Sequence, residues 1–442
     1  MCMGLTAIGT LCARNLLAAS PAVAVEIGPD HPVGDRRTMQ IEPCIAAHPS
    51  KPGSLIVSGA ELIESRFLAK AYASLDAGKS WTAADLDRSG DSVITVNNWV
   101  TYGGDGRAYY STTGHPAGGE NYIGVYRSLD EGRSWSSCVK APGLSYDQPR
   151  ITAGTGSRSN TVYIAAMLGG IAVLRSNDSG ASFEVASRIS PNNLGAQPRE
   201  PLILADGSLL IPFADFAAGA EQSLTASRMY VIRSEDGGRV FDHPHFVADV
   251  PRAFPGGGCA FATDLSDGPF RGRIYAVWES GDFGGRIVSW TPRRREESGT
   301  RRELSIAYST NNGRSWSAPK QVAEPGLGPA FMGCAAVAPN GTLGALWIQH
   351  EKYETNPRNY RAWFAASTDG GDTFTSPRPV SSAVSIPDRR QMEKIDYLRT
   401  RYRGGDYIGL AGAADSVFNA VWADARDGAF RIFHAPVRVS LK

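Results

Sequence analysis

Three acidic residues, widely separated in the sequence, stand at matching positions where short predicted strands begin. Glu42 and Glu200 each precede a proline, and Asp406 precedes Tyr407. If these strands line the central channel of a closed ring, their first residues meet at one mouth of that channel. Convergent carboxylates at a concave site can act as general acid and general base, the pair of groups that hydrolyses glycosides. The sequence therefore predicts catalytic candidates at this mouth.

The same mouth has two other interpretations. Carboxylate oxygens are ligands that Ca²⁺ accepts, so the acids could hold this ion, and we expect no other cofactor. Alternatively, the mouth is a hydrated polar ring. In this interpretation Arg150 and Arg199, which lie next to the matching strand starts, balance the negative charge of the three acids. If the mouth binds a substrate, these two arginines are predicted to be substrate-binding groups.

When the starts of these predicted strands are aligned, three cysteines occupy the same position: Cys44, Cys259 and Cys334. Small, buried side chains on a crowded channel wall are the leading interpretation. The alternatives are a disulfide between Cys259 and Cys334, which requires a location outside the cytoplasm, and metal ligation by all three.

A repeated turn motif indicates which elements would position these residues. The frame Ser-x-Asp-x-Gly-x-Ser-Trp and looser copies of it occupy residues 74–81, 128–135, 176–183, 234–241, 309–316 and 367–374. The aspartate can accept backbone hydrogen bonds within a tight turn, and the glycine supplies a positive φ. The aromatic residue then anchors the next strand. We therefore expect each aspartate to be used by its own turn and not by catalysis or metal binding.

Each copy of the motif follows an apolar strand-like run, and most of these runs follow a shorter one. The repeating unit is thus four antiparallel strands, and radial repetition of such units gives a β-propeller. Seven runs predict seven blades, with six blades as the alternative. The last unit has room for about three strands. We therefore expect residues 23–27 or 38–41 to supply its outer strand and close the ring.

Composition and the N-terminus limit the location and the partners. The formal net charge of +1 gives no general attraction to nucleic acid, and no later stretch is apolar enough to span a membrane. Residues 1–24 are apolar and end in a small-x-small pattern, which predicts a signal peptide followed by a single propeller domain at 25–442. We expect a secreted or periplasmic monomer.

The repeated frame resembles the Asp-box, or BNR, repeat of the sialidase superfamily, and the resemblance covers the chain from about Glu42 onward. It implies a propeller whose boxes lie on the periphery, away from the substrate face. Sialidases bind the substrate carboxylate with clustered arginines. They use a tyrosine nucleophile next to a glutamate, and an aspartate as acid/base.

Several segments of this chain correspond to that machinery. Residues 406–411 are similar to the family segment that carries the nucleophile, which implies this role for Tyr407. Arg302 and Arg361 precede the fifth and sixth boxes, as family arginines do, and are implied substrate-binding groups. Residues 40–43 replace the family's Arg-Ile-Pro motif with Gln-Ile-Glu-Pro and lack its arginine. The candidate glutamates are Glu200 and Glu279 for the partner, and Glu61 and Glu64 for the acid/base loop.

The sequence thus predicts a sialidase-like glycoside hydrolase that acts on terminal sugars of glycans. The predicted catalytic residues are Tyr407, Glu200, Glu42 and Asp406. A non-catalytic propeller that binds glycans or proteins is the alternative, which the missing arginine favours. A polysaccharide lyase, with a tyrosine or histidine base beside an arginine, is a third interpretation.

Overall fold

The structure is a computed structural model. It describes residues 23–35, 37–87, 92–143, 146–190, 195–216, 226–251, 259–281, 302–324, 326–351, 359–395, 398 and 403–441. The predicted signal peptide therefore lies almost entirely outside the described residues. Within them, no helix is long and apolar enough to cross a membrane.

Seven antiparallel sheets form the blades of a β-propeller, which confirms the predicted fold and blade count. Blades 1 to 3 follow one another from the innermost strand outward. Their strands are Gln40–Ala47, Leu55–Ile63, Arg66–Ser74 and Thr82–Asp85 in blade 1; Ser92–Tyr102, Ala108–Pro116, Tyr122–Ser128 and Val139–Lys140 in blade 2; and Asp147–Ala153, Val162–Met167, Ile171–Ser176 and Glu184–Ile189 in blade 3.

Blades 4 to 6 have the same order, but the innermost strand of blade 4 is interrupted. Their strands are Gly195–Pro198 with Leu202–Ile203, Leu209–Phe216, Ala226–Ser234 and His245–Pro251 in blade 4; Cys259–Thr263, Ile274–Gly281, Arg302–Ser309 and Lys320–Gln321 in blade 5; and Ala330–Val337, Leu343–His350, Tyr360–Ser367 and Arg378–Pro379 in blade 6. Two short helices, Gly156–Arg158 (3₁₀) and Arg389–Met392 (α), lie between strands.

Blade 7 closes the ring by joining the two ends of the described chain. Gly409–Gly412, Phe418–Asp424 and Arg431–Leu441 are its inner strands, and Val23–Ile27 is its outer strand. Val23 pairs with Leu441 and Ile27 pairs with Val437, which confirms the first of the two predicted closing segments. Residues 40 and 41 of the second segment belong to the innermost strand of blade 1. The short strand His31–Pro32 also pairs with Arg431–Leu441. Because the predicted leader ends at Ala24, its removal would shorten this closing strand by its first two residues.

The core lies between neighbouring blades, where the faces of successive sheets pack against each other. Large aromatic side chains fill these spaces, and Trp347, Trp422, Tyr275 and Phe418 are almost fully buried. Each buried ring removes a large apolar surface from water, so packing between blades stabilises the ring as a whole.

The turn motifs use their own aspartates, as the sequence predicts. In the first box, Asp76 accepts hydrogen bonds from the backbone N–H of Ser80 at 2.9 Å and from its hydroxyl at 2.6 Å. The hydroxyl of Ser74 accepts a bond from the Gly78 N–H at 2.8 Å. The equivalent glycine-to-serine bond occurs in the other five copies.

These turns predict a loss of stability in acid. Hydrogen bonds from Ser80 lower the pKa of Asp76 to about 2, and hydrogen bonds from Ser182 lower the pKa of Asp178 to about 2. A carboxyl with a depressed folded-state pKa stabilises the fold above its unfolded value of about 3.9, and this contribution is lost as the pH falls toward 2. We expect the thermal midpoint to fall between pH 4 and 2. The Asp76→Asn, Asp178→Asn double variant should show a smaller fall, and an equal fall would contradict the assignment.

Candidate functional site

The innermost strands of blades 1, 2, 3 and 6 share an unusual local geometry. Each contains a β-bulge whose first residue has a positive φ: Glu42 (57°), Asn97 (58°), Gln148 (51°) and Met332 (53°). Such residues are strained unless their surroundings hold them, and bulges redirect side chains near functional sites. In blades 1, 3 and 6 the bulge lies near the strand start, at the end of the blade opposite the Asp boxes, and in the longer strand of blade 2 it lies midway along the strand.

Tyr407 and Glu42 form a buried pair at this mouth. The Tyr407 hydroxyl donates to Glu42 Oε2 at 3.0 Å, and the two residues are 6% and 0% exposed. Burial and the charge of Glu42 raise the pKa of Tyr407 well above its ordinary value, so the phenol stays protonated. Gly405 has a φ of 119°, and a side chain there would overlap Glu42. The hydrogen bond between Tyr407 and Glu42 thus connects blade 7 to blade 1.

The Glu42 carboxylate starts a belt of hydrogen bonds that crosses five neighbouring blades. Glu42 Oε2 also accepts the backbone N–H of Asn97 at 3.2 Å, in blade 2. The Asn97 side chain donates to Asp147 at 2.7 Å, in blade 3. Gln148 follows Asp147 and accepts a bond from Gln197, in blade 4. Together with Tyr407, these residues link blades 7, 1, 2, 3 and 4 around the mouth.

A guanidinium group contacts two aromatic rings at the mouth, one of which is the tyrosine. The central carbon of Arg150 is 4.0 Å from the centre of the Trp99 ring and 4.5 Å from that of Tyr407. Arg150 is 2% exposed, and its Nη1 atom has no hydrogen-bond partner within the described structure. Cations bind aromatic faces favourably, and an unpaired buried donor favours an incoming acceptor. Arg150 can therefore stabilise negative charge next to Tyr407.

Glu200 supplies a carboxyl group with a raised pKa at the same site. Part of the residue is exposed, but protein atoms enclose its carboxyl group. This burial raises the pKa of Glu200 to about 7, although the Trp99 indole and the charge of Arg150 oppose the shift. A carboxyl with a pKa near neutrality can donate and accept protons under ordinary conditions. Glu200 therefore has the property of a general acid.

The structure brings some of the other predicted residues to this cluster. Asp406 is 9% exposed, and its negative charge contributes to the raised pKa of Tyr407, so the two side chains are close. Arg199 is buried between blades 4 and 5, where its Nε donates to the Cys259 sulfur at 3.0 Å. Five of the eight predicted site residues interact directly or through Trp99: Tyr407, Glu42, Asp406, Glu200 and Arg150.

The two arginines implied by the family resemblance occupy other positions. Arg361 lies on the third strand of blade 6, where it pairs with Glu351 at 2.8 Å and donates to the Ser381 carbonyl at 3.1 Å. Arg302 begins the third strand of blade 5, and its side chain lies outside the described residues.

Of the remaining candidate glutamates, two have structural partners and one lies on the surface. Glu61 accepts a hydrogen bond from Tyr72 at 2.5 Å in the interior of blade 1. Glu279 accepts the backbone N–H of Met332 at 3.0 Å. Glu64 lies in an exposed turn with a φ of 48°. The tyrosine's partner is thus Glu42, which stands in the segment where the family motif has its arginine.

The cysteines and the acids form no metal centre in the part of the chain that the structure describes. Cys44, Cys138, Cys259 and Cys334 are free thiols, so Cys259 and Cys334 are not bonded to each other. Burial raises the pKa of Cys44 to about 12, which keeps this thiol protonated. No group of three or more His, Cys, Asp or Glu side chains among the described residues could hold a metal ion.

Trp99 and Asn97 are components of the site that the sequence register missed. Their strand, Ser92–Tyr102, begins without the proline or glycine that marks the equivalent strands of blades 1, 3, 4 and 6. The signal that could have found them is spacing, because Asn97 precedes the start of the second apolar run at Gly106 by nine residues, as Met332 precedes Gly341 in blade 6.

Comparison with known proteins supports the fold. No protein-family model matches the sequence, and no curated protein does. Among solved structures, the NanB sialidase from Streptococcus pneumoniae is 13% identical, with a TM-score of 0.50 over 73% of this chain and 67% of that chain. An α-L-arabinanase from Penicillium chrysogenum is 16% identical, with a TM-score of 0.48 over 80% of this chain and 96% of that one.

A protein of unknown function from Dyadobacter fermentans is 14% identical, with a TM-score of 0.47 over 94% of this chain and 99% of that one. At these identities the likeness concerns the fold alone. This chain and the NanB sialidase therefore share the β-propeller fold.

Proposed function

We propose that the protein is a glycoside hydrolase whose chemistry takes place at the channel mouth between blades 7, 1, 3 and 4. The observation that carries this proposal is the hydrogen bond from the Tyr407 hydroxyl to Glu42, with Arg150 over the tyrosine ring. A tyrosine becomes a nucleophile when a neighbouring base takes its proton, and Glu42 is in position to do so. The nearby Glu200 supplies the second carboxyl group that glycoside cleavage requires.

The first step of the proposed reaction forms a bond between the tyrosine and the sugar. The Tyr407 oxygen attacks the anomeric carbon while its proton moves to Glu42, and the bond to the leaving group breaks. Glu200, in its protonated form, donates its proton to the departing glycosidic oxygen. The products of this step are the free aglycone alcohol and a sugar bound to Tyr407.

The second step regenerates the enzyme with water. Glu200, now ionised, accepts a proton from a water molecule whose oxygen attacks the anomeric carbon. The bond to Tyr407 breaks, and the tyrosine recovers its proton from Glu42. Arg150 stabilises negative charge on the tyrosine oxygen and on the substrate in both steps. Two displacements at one carbon retain its configuration.

A glycan-binding protein without catalysis is the second candidate. Two observations favour it: Tyr407 and Glu42 are almost inaccessible, and Arg361 is paired with Glu351 instead of lying beside Tyr407. A substrate would have to reach the tyrosine oxygen through the mouth. Binding of glycans without turnover by the wild-type protein would support this second candidate.

The test compares two tyrosines with similar surroundings. Tyr407→Phe is expected to lower the hydrolysis of aryl glycosides, assayed as a panel of one sialoside and several neutral sugars, by about a thousandfold or more. Tyr72→Phe is the matched control, because Tyr72 also donates to a buried glutamate but is not part of the mouth cluster. We expect this control to retain activity within about threefold of wild type, a typical context-dependent spread.

Two results would overturn the proposal. One is a Tyr407→Phe variant as active as the wild type, and the other is a wild-type protein that turns over none of the glycosides. Release of an unsaturated sugar in place of a hydrolysed one would indicate a lyase, in which Tyr407 acts as the base beside Arg150.

A further inference from the structure

Trp99 borders three groups of the site: Arg150, Tyr407 and Glu200. In the described structure, no hydrogen bond connects these three groups to one another. Its ring lies against the Arg150 guanidinium at 4.0 Å and meets the Tyr407 ring edge-on, with centres 5.4 Å apart. Its indole N–H lies beside the Glu200 carboxyl and lowers the pKa of that group, although the two atoms do not form a well-aligned hydrogen bond. One side chain thus borders the nucleophile, the cation and the acid.

The fold explains how a residue of blade 2 reaches this position. The bulge at Asn97 shifts the register of the innermost strand between Val96 and Trp99, and Trp99 then pairs with Ser111. The bulge is fixed from both sides, because the Asn97 N–H binds Glu42 and its side chain binds Asp147. Trp99 therefore stands on a rigid strand whose position depends on the catalytic glutamate.

We propose that Trp99 is the positioning residue of this site, whose ring holds the Arg150 guanidinium beside the Tyr407 ring and whose N–H borders the Glu200 carboxyl. The inference rests on the proposed function, since it assigns Trp99 a part in the same reaction. Trp99 does not exchange protons or form bonds with the substrate. It determines where the charge of Arg150 and the proton of Glu200 are placed.

The two contributions of the indole can be separated by substitution. Trp99→Phe keeps an aromatic face for Arg150 but removes the N–H, whereas Trp99→Leu removes both. The other groups near Glu200 stay in place: Arg150 from blade 3, and the protonated thiols of Cys44 and Cys334 from blades 1 and 6. Since the indole favours the ionised carboxylate, its loss must raise the pH at which Glu200 titrates.

The first measurement needs no turnover. In protein labelled with ¹³C at glutamate side chains, the Glu200 signal is assigned by its disappearance in Glu200→Gln and followed as a function of pH. We expect its midpoint to lie higher in Trp99→Phe than in the wild type. Trp135→Phe is the matched control in the same blade, where the indole donates to the Gly132 carbonyl at 3.0 Å, and it should leave the midpoint unchanged.

The second measurement separates positioning from binding. In the hydrolysis assay, Trp99→Phe should lower kcat about tenfold with little change in KM, and Trp99→Leu should lower kcat further, because misplaced groups affect the reacting geometry more than ground-state binding. A Trp99→Phe variant with the wild-type midpoint and wild-type kcat would overturn the inference. If the midpoint moves but no variant, including wild type, hydrolyses a glycoside, the contact with Glu200 stands and the proposed function fails.

Discussion

Glu200→Gln is expected to lower kcat/KM for glycosides with poor leaving groups by about 10²- to 10⁴-fold, the usual contribution of a general acid. Glutamine has nearly the same shape but cannot donate a proton to the glycosidic oxygen. The burial that raises the pKa of Glu200 to about 7 also predicts the pH profile of the wild type. Activity that depends on protonated Glu200 should decline as the pH rises through 7, and this decline should be absent in the variant.

The same substitution should have the opposite effect on stability. Between the unfolded pKa of about 4.3 and the folded pKa near 7, the folded state retains a proton that the unfolded chain has released. Stability therefore falls as the pH rises through this window, and the cost of the buried charge is fully present above it. We expect Glu200→Gln to unfold at a higher urea concentration than the wild type at pH 8, and at a similar concentration at pH 4.

Leaving-group dependence gives the sharpest check on the role of Glu200. A dinitrophenyl glycoside needs no protonation of its leaving group, so Glu200→Gln should cleave it far better than the corresponding alkyl glycoside. Glu61→Gln is the control, because Glu61 is a buried glutamate that accepts the Tyr72 hydroxyl outside the mouth cluster. Equal losses on both substrates, or an equal loss in the control, would show that Glu200 is not the acid.

Arg426→Met is expected to destabilise the ring by about 3 to 5 kcal/mol, the typical result of removing one partner from a buried charge cluster. Arg426 lies between Asp30 and Asp424, with Nη2 at 2.7 and 2.8 Å from their oxygens, and its guanidinium covers the ring of Phe433. Burial opposes ionisation of Asp30, yet Arg426 holds its pKa below the ordinary value. Without the arginine, two enclosed carboxylates lose their counter-charge.

The size of this effect follows from where Asp30 lies. Asp30 is in the N-terminal segment, accepts bonds from the Ser382 N–H and hydroxyl at 2.8 and 2.7 Å, and thereby ties that segment to blades 6 and 7. Urea unfolding at pH 7 measures the loss. Arg37→Ala is the control, because the Arg37–Asp35 pair in the same segment is largely exposed and solvent screens it, so its loss should change the urea midpoint little. Equal losses in the two variants would contradict this role.

Much of the architecture could be predicted because its determinants are local. In a turn such as residues 74–81, the aspartate, the serines and the glycine form hydrogen bonds with one another. The conformation of the turn therefore depends on residues that are neighbours in the sequence. The closing strand was also predictable, since the last unit was too short to complete a blade. Both predictions depended on properties that the sequence shows directly, namely a local motif and the length of a unit, and neither required knowledge of distant contacts.

The candidate site depends on distant contacts, and this limited its prediction. Glu42 and Tyr407 are 365 residues apart, and their pairing exists only because blade 7 packs against blade 1. The register placed Glu42, Glu200 and Asp406 at one mouth but could not say which of them meets the tyrosine. Trp99 was missed because a β-bulge shifts its strand by one residue, which no pattern of alternating side chains reveals.

The pairing of blade 7 with blade 1 determines when the candidate site can form during synthesis of the chain. A nascent chain that has completed six blades already contains Glu42, Trp99, Arg150 and Glu200, but it still lacks the phenol on which the proposed reaction depends. The outer strand of blade 7, Val23–Ile27, precedes blade 1 in the sequence, so this blade is completed only when that strand pairs with Arg431–Leu441. The candidate site is therefore the last feature to form on the proposed mechanism, because it needs the tyrosine of the seventh blade beside the glutamate of the first.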